Sequence, residues 1–256
     1  MKDEWKIIKL GGSLLSPKAL DPIPFDFDYS LRFLKLIDKW QKDGNILKVA
    51  LIIGGGYLNK VYLDETLKFI NKSKLTYLNE FSNDLKDYIG SASIALNEHV
   101  LLSIATAFWD KKNVFQDVIK YLQYENLSNI VLSRDIKIII AGASGPAHSS
   151  DANALFIAEY LKSKSIISLK NVDGVYDKDP NKFRNAKYFK HLTWNEYEKV
   201  LGNAKYEPRS HFPIDVYATS KAKKMGVEFI IMDGRNLENL DKYLNEKEYK
   251  GTIVCD

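Results

Sequence analysis

The sequence has few of the residues that mark secreted or metal-binding proteins. Its 256 residues include one cysteine, Cys255, next to the C-terminus, so no intramolecular disulfide is possible and we expect a reducing compartment. The four histidines show no i, i+4 pairing, so we expect no structural metal site. Neither GxxxxGK[ST] nor GxGxxG occurs, which argues against a P-loop and against a Rossmann dinucleotide site.

Long hydrophobic runs are also missing. No segment approaches the roughly 20 apolar residues that a bilayer demands, and the opening MKDEWKIIKLGGS leads directly into a predicted strand without a signal stretch. The formal charge of +4 comes from lysines scattered among acidic residues, with few arginines, whereas nucleic-acid-binding proteins concentrate basic residues on one face. We therefore expect a soluble, cytoplasmic protein that binds neither membranes nor nucleic acid.

The sequence does contain ample apolar residues for a core, at 45% hydrophobic and 12% aromatic. Five apolar runs rich in β-branched residues predict strands buried on both faces, as in a parallel sheet covered by helices. These runs cover residues 5–10, 47–53, 136–142, 165–174 and 227–234. Predicted helices lie between them at residues 29–41, 58–72, 91–109, 152–161 and 218–225, the last closed by Gly226. The alternation predicts an α/β fold, a three-layer α/β/α sandwich with a mostly parallel central sheet.

No internal repeat and no linker rich in proline, glycine or serine divides the chain. We therefore predict a single domain over residues 1–256. The nearest approach to a boundary lies near residues 162–166, and it separates two predicted lobes, residues 1–165 and residues 166–256.

Glycine-rich turns follow the first two predicted strands. In KLGGSLLSPK, Lys9 precedes Gly11, Gly12 and Ser13, which would place an ammonium beside backbone N–H groups and a hydroxyl. In GGGYLNK, three glycines follow the second strand and Lys60 lies one turn into the next helix. Open α/β sheets bind ligands at the carboxyl ends of their strands, so these turns predict a ligand site.

A third segment, GASGPAHSSDANALF at residues 142–156, places His148, Ser149, Ser150 and Asp151 at a helix entrance. One interpretation is a helix cap, because serine and aspartate oxygens accept hydrogen bonds from the free N–H groups of the first turn. The other is an anion site, since free N–H groups, glycines and donor hydroxyls together suit a phosphate. Alone, the segment favours the commoner cap. Together with the two glycine turns, it favours the anion site.

The segments KLGGS, IIGGG, GPAHSSDA and NVDGVYDKDP, in this order, resemble the amino-acid kinase family, which includes carbamate, acetylglutamate, aspartate, uridylate and isopentenyl phosphate kinases. GPAHSSDANALFIAEYL resembles the PGHTTDA segment of the archaeal-type uridylate kinase branch. KDYIG at residues 86–90, followed by Asn97, is similar to the helix that follows the acceptor-contacting aspartate of that branch, here Asp87. The isopentenyl phosphate kinase branch fits less well, because it has a histidine before GGG where this chain has Ile53.

The resemblance implies phosphoryl transfer from ATP to UMP, giving UDP and ADP in pyrimidine nucleotide metabolism, by a homo-oligomer, a hexamer. It implies that Mg²⁺ arrives bound to ATP and that the protein has no metal site of its own. Lys9 would supply positive charge to the transferring phosphoryl group. Asp151 would orient Lys9 rather than act as a base, because the acceptor phosphate is already ionised at neutral pH.

The remaining site residues are implied by the same resemblance. ATP would be bound by Gly12, Ser13, Gly56, Lys60, Lys170, Tyr176 and Asp179. The acceptor would be bound by Gly55, Asp87, Ala143, Ser144, Gly145, Pro146, Ala147, His148, Ser149 and Ser150. VDGVYDKDP is also a good turn sequence in its own right. Asp215 lies in a segment that resembles one near the nucleotide, and we interpret Lys221 and Lys223 as helix-surface lysines.

Several positions depart from the uridylate kinase pattern. Ile94 and Ala95 stand where Thr-Arg is usual, and Lys60 stands where an arginine is usual and so lacks the bidentate fork that suits phosphate. Either the acceptor differs from UMP or the site has changed. One alternative is therefore a molybdate or tungstate storage-type ATP-binding protein of the same fold, for which more than four histidines are expected. Another is a kinase for a different small phosphate, such as isopentenyl phosphate.

Overall fold

The computed structural model of the protein describes residues 5–18, 25–44, 48–72, 83–115, 136–142, 149–180, 182–202 and 212–256. The strands are β1 (Trp5–Leu10), β2 (Lys48–Ile53), β3 (Ile138–Ala141), β4 (Ser165–Lys170), β5 (Val175–Tyr176), β6 (Tyr188–Phe189), β7 (His191–Leu192), β8 (Glu228–Asp233) and β9 (Thr252–Val254). The helices are α1 (Gly12–Leu15), α2 (Phe27–Lys42), α3 (Gly56–Lys72), α4 (Asn83–Phe108), α5 (Ser150–Tyr160), α6 (Trp194–Leu201), α7 (Val216–Met225) and α8 (Leu237–Leu244).

One seven-stranded sheet forms the centre of the fold, in the order β3-β2-β1-β4-β8-β9-β7. The pairs along it are parallel except β8–β9, which is antiparallel. Strands β5 and β6 form a separate antiparallel pair. The α/β architecture with a mostly parallel central sheet is thus confirmed.

Both faces of the sheet are buried, which explains the uninterrupted apolar runs. On β1, Trp5 and Ile7 lie in the core that α5, α6 and α7 cover, whereas Ile8 and Leu10 lie in the core that α1, α2, α4 and α8 cover. Because side chains alternate along a strand, Lys9 points to the same face as Ile7. It therefore points towards α5.

The element ends differ from the predictions in ways that local chemistry explains. Helix α3 begins at Gly56, inside the glycine turn, and α4 begins at Asn83, eight residues before the predicted start at 91. Helix α6 was not predicted, although a capping box marks its start: the Thr193 side chain accepts from the Glu196 N–H and the Glu196 carboxylate accepts from the Thr193 N–H. The predicted C-cap at Gly226 is confirmed, with a left-handed backbone at φ 60°.

The sheet continues across the position where the two lobes were predicted to meet. Strand β4, the first of the second predicted lobe, pairs with β1 of the first in the register Ile7↔Ile166. The division into an acceptor lobe and an ATP lobe stays a prediction. Within the described part of the chain, no helix is both long enough and apolar enough to cross a membrane.

Candidate active site

Lys9 and Asp151 form a buried ion pair at the carboxyl edge of the sheet. Lys9 is the fifth residue of β1, and its Nζ lies 3.0 Å from Oδ1 of Asp151 in the first turn of α5. Both side chains are almost wholly excluded from solvent, at 4% and 8% exposed. An ammonium buried in this way is stable only with a counter-charge, which Asp151 supplies.

Lys170, the last residue of β4, approaches the same carboxylate. Its Nζ lies 3.1 Å from Oδ1 and 3.0 Å from Oδ2 of Asp151. Lys9 of β1 is paired with Ser168 of β4. Lys170 is two residues further along β4, so its side chain lies on the same face of the sheet as that of Lys9 and closer to the carboxyl edge. The resemblance placed Lys170 among the ATP-binding residues. In the structure, its ammonium contacts Asp151.

The cluster Lys9–Asp151–Lys170 holds two ammonium groups on one carboxylate and so carries a net charge of +1 when all three are ionised. Burial lowers the pKa of Lys9 to about 7, with Lys170 adding to this effect and Asp151 opposing it. Burial would raise the pKa of Asp151, but Lys170 and Lys9 hold it below its usual range. Such a cluster favours the binding of an anion, because a negatively charged phosphate oxygen would neutralise the excess positive charge of the two buried lysines.

Free backbone amides lie beside this cluster. Strands β1 and β2 end side by side, with Leu10 paired to Ile53, and each leads directly into a glycine turn and a helix. Among the described residues, the N–H groups of Gly12, Ser13, Gly55 and Gly56 donate no hydrogen bond, whereas that of the adjoining Gly54 donates to Leu10 at 3.1 Å. Free N–H groups at two converging helix starts make an anion-binding site.

The two turns approach so closely that only glycine fits. A Cβ atom at Gly12 would lie 2.1 Å from the nitrogen of Gly56 and 2.7 Å from the carbonyl carbon of Gly54. Gly56 also has a left-handed backbone at φ 64°. The glycines therefore bring together the free amides of the two turns that follow β1 and β2.

Ser149 has the geometry of a helix cap. It is the N-cap of α5, where its Oγ accepts from the N–H of Ala152 at 3.0 Å. The same hydroxyl donates to Oδ2 of Asp215, which in turn caps α7 by accepting from Ala218. Its single hydrogen is therefore directed to Asp215. Ser150, the next residue, is partly exposed and its hydroxyl donates to no described residue.

Asp215 links the starts of α5 and α7, a contact that was not predicted from the sequence, where Asp215 was placed only in a segment near the nucleotide. Burial raises its pKa, and the neighbouring charge of Asp151 adds to the rise. The Ser149–Asp215 contact joins residues 66 positions apart, so no local pattern could have predicted it.

The predicted nucleotide segment lies beyond the end of β4. The hydroxyl of Tyr176 donates to Asp173 Oδ1 at 2.9 Å, and its ring meets that of Tyr188 edge-on at 5.4 Å. Lys250 forms an ion pair with the same Asp173. Asp179 lies in the exposed turn after β5, where Lys182 approaches it to 3.7 Å. Tyr176 and Asp173 thus contact each other in the segment between β4 and β6, and Asp179 lies in the turn that follows β5.

The other predicted residues lie at separate places. Lys60 is exposed in the second turn of α3, and Asp87 is partly exposed near the start of α4. The acceptor-loop residues Ala143, Ser144, Gly145, Pro146, Ala147 and His148 lie outside the described residues.

Sequence comparison identifies the class of protein to which this fold and site belong. A profile described as the Amino acid kinase family matches residues 4–232. The chain belongs to this family, as the motifs predicted.

Curated relatives place the chain more closely. The uridylate kinase of Methanococcus aeolicus is 31% identical over 250 residues, which span 97% of this chain and 98% of that protein. The uridylate kinase of Thermococcus kodakarensis is 28% identical over 250 residues, again 97% and 98% of the two chains. Among solved structures, the UMP kinase from Ureaplasma parvum superimposes with a TM-score of 0.76 at 22% identity, covering 100% of both chains. The uridylate kinase from Archaeoglobus fulgidus gives 0.70 at 24% identity, covering 98% of this chain and 100% of its own. Both structures have the same fold.

Proposed function

We propose that the protein transfers the terminal phosphoryl group of ATP to UMP, giving UDP and ADP. The observation that carries this is the cluster Lys9–Asp151–Lys170 beside the free amides of Gly12 and Gly56, because paired cations and preorganised N–H donors are what phosphoryl transfer requires. The near-full-length likeness to uridylate kinases supports UMP as the acceptor.

The chemistry needs little covalent participation by the protein. Two anionic phosphates must be brought together in line while their charge is neutralised. Lys9 and Lys170 neutralise the transferring group, and the amides of the two glycine turns hold its oxygens. Asp151 fixes both ammonium groups and is no base, since both its oxygens are engaged by lysines and the UMP phosphate is already ionised.

We assign the ATP and acceptor ends as the resemblance does, except at Lys170 and Ser149. Tyr176 and Asp179 would hold the adenosine end of ATP, with Gly12, Ser13, Gly56 and Lys60 near its phosphates. Gly55, Asp87, Ser150 and the loop 143–148 would hold UMP, and Ser149 would act chiefly by capping α5. Mg²⁺ would arrive bound to ATP and neutralise part of its phosphate charge, and the lysine contacts of Asp151 suit an ion carried by ATP rather than by that carboxylate.

We further propose a cytoplasmic homo-oligomer, a hexamer, that acts in pyrimidine nucleotide metabolism. Large apolar side chains on α3 and α4 support association: Tyr62, Phe69, Tyr88 and Leu96 are each more than half exposed. Light scattering on the purified protein would measure the oligomeric state.

A coupled ADP-release assay tests the proposed activity across UMP, other nucleoside monophosphates, isopentenyl phosphate and carbamate. We expect UMP to give the highest kcat/KM. A preference for isopentenyl phosphate or carbamate would reassign the acceptor. ATP binding without turnover on any acceptor, combined with retention of molybdate, would instead support the storage protein.

A further inference from the structure

Asn97 is a buried polar residue on α4 that the proposed mechanism does not use. It is 2% exposed and faces the glycine turn that follows β2. Its Nδ2 donates to the carbonyl oxygen of Gly54 at 3.0 Å and to that of Gly55 at 3.1 Å. The side-chain amide thus donates its two hydrogens to the carbonyl oxygens of two consecutive peptide groups.

These two hydrogen bonds determine the direction in which the N–H groups of Gly55 and Gly56 point. In a trans peptide, the C=O and the following N–H point in opposite directions. With the carbonyls of Gly54 and Gly55 directed at Asn97, the N–H groups of Gly55 and Gly56 must point away from α4. They are the same N–H groups that donate no hydrogen bond among the described residues.

The surroundings of the turn show which side α3 and α4 close. A Cβ atom at Gly55 would lie 3.3 Å from both Asn59 and Ile94, so side chains of α3 and α4 close the turn from behind. On the other side, the nitrogen of Gly56 lies against Gly12 at the start of α1. Helix α4 covers the face of the sheet opposite to the one that Ile7 and Lys9 share, so N–H groups that point away from α4 point towards the Lys9 side.

A run of three glycines cannot keep this arrangement by itself. Glycine populates several backbone regions about equally, so the peptide planes of GGG could rotate at small cost. Preorganised donors lower a reaction barrier because their orientation is settled before the charge develops. A residue that holds both planes would thus contribute to turnover without touching either substrate.

We propose that Asn97 is a positioning residue for phosphoryl transfer, which fixes the GGG turn so that the amides of Gly55 and Gly56 face the phosphates. This inference rests on the proposed function for the identity of those phosphates. Its structural half, the orientation of two amides towards an anion, can be measured without turnover.

The first experiment compares Asn97→Ala and Asn97→Asp with Trp40→Phe by melting temperature, kcat and KM for ATP and UMP. Trp40 is a fully buried control, whose indole donates to Asp241 at 2.8 Å between α2 and α8. Asn97→Asp keeps the size but places an oxygen against two carbonyl oxygens. We expect all three variants to lose stability, and only the two Asn97 variants to lose about tenfold or more in kcat/KM. Wild-type kinetics in a folded Asn97 variant would overturn the inference.

The second experiment uses the wild-type protein, so it does not depend on whether a variant folds. The amide resonances of Gly55 and Gly56 are followed in ¹⁵N-labelled protein during titration with UMP and with a non-hydrolysable ATP analogue and Mg²⁺. We expect at least one of the two proton resonances to move downfield as a phosphate oxygen is bound. If neither moves with either nucleotide at saturation, the inference is wrong. An active wild-type enzyme with that result would leave the proposed function intact, whereas an inactive wild type with moving resonances would overturn only the function.

Discussion

Replacing Lys170 by methionine tests the shared carboxylate directly. The change removes an ammonium but keeps an unbranched side chain, so the cluster around Asp151 falls from a net charge of +1 to a neutral pair with Lys9. If Lys170 only contacted adenine or ribose, the loss would be confined to ATP affinity. If it neutralises the transferring phosphoryl group, turnover must fall.

The size of the loss can be estimated from Coulomb's law for a Lys170 ammonium in contact with a phosphate oxygen. An ammonium about 3 Å from a phosphate oxygen gains roughly 5 kcal/mol at an effective dielectric constant of about 20. Lys170 also contacts Asp151 at 3.0 Å, so it shares its charge and the net gain is smaller. Single preorganised contacts of this kind are worth about 3–4 kcal/mol, and we therefore expect kcat to fall by about 10²–10³-fold.

The pH profile separates this role from a structural one. Lys9 must be protonated to attract phosphate, and its pKa in the free protein is lowered by burial to about 7, with Lys170 contributing to the lowering. The wild-type kcat/KM should thus fall as pH rises through that value, since this parameter reports the free enzyme. In Lys170→Met the repulsion is gone, so the pKa of Lys9 rises and the alkaline fall moves to higher pH.

The measurement is kcat/KM for ATP between about pH 6 and 9, for the wild type, Lys170→Met and the charge-conserving control Lys170→Arg. The control should keep the alkaline fall near its wild-type position, because a cation remains beside Lys9. If Lys170→Met has the wild-type kcat and its kcat/KM falls at the same alkaline pH as that of the wild type, the reasoning is refuted. Lys170 would then only contact the nucleotide.

Three further predictions concern single side chains. Lys9→Met should lower kcat by about 10²-fold or more while the circular dichroism spectrum stays that of the folded protein, and an unchanged kcat would make Lys9 a structural residue. Tyr176→Ala should raise the Kd for ATP more than that for UMP in separate titrations, and equal losses would count against the nucleotide assignment. Ser149→Ala should lower the unfolding free energy by about 0.5–2 kcal/mol because it removes the α5 cap, whereas Ser150→Ala should mainly raise the KM for UMP. The reverse pattern, with Ser150 stabilising and Ser149 binding, would contradict the hydrogen bond from Ser149 to Asp215.

The sequence allowed the layers of the fold to be predicted because both faces of the sheet are covered. Its runs from Trp5–Leu10 and Lys48–Ile53 are apolar at every position but a few, and glycines mark where each strand ends. Short elements were not predicted. Strand β9, for example, has only three residues and pairs antiparallel with β8, and neither its length nor its periodicity distinguishes it from a loop. Such pieces form because neighbouring strands supply their hydrogen bonds.

Only those site residues that belong to a local sequence motif could be predicted, and the contacts between distant segments could not. The positions of Lys9 and Asp151 follow from a strand end and a helix start at the same edge of a parallel sheet. The contact of Lys170 with Asp151 depends on β4 lying next to β1, and the strand order is not written in any local pattern. The bonds from Asn97 to the GGG turn and from Ser149 to Asp215 likewise join segments far apart in the chain.

The central place of β1 has a consequence for how the protein is made. Strand β1 pairs on one side with β4 in the register Ile7↔Ile166, and because these residues are about 160 positions apart, loop closure makes this contact late. At a synthesis rate of about 5–20 residues per second, β1 waits roughly 10 to 30 seconds with that edge unpaired. Open β edges template association with other chains. The newly made chain is thus most exposed to aggregation before β4 emerges, and Lys9 and Lys170 come together only when that interval ends.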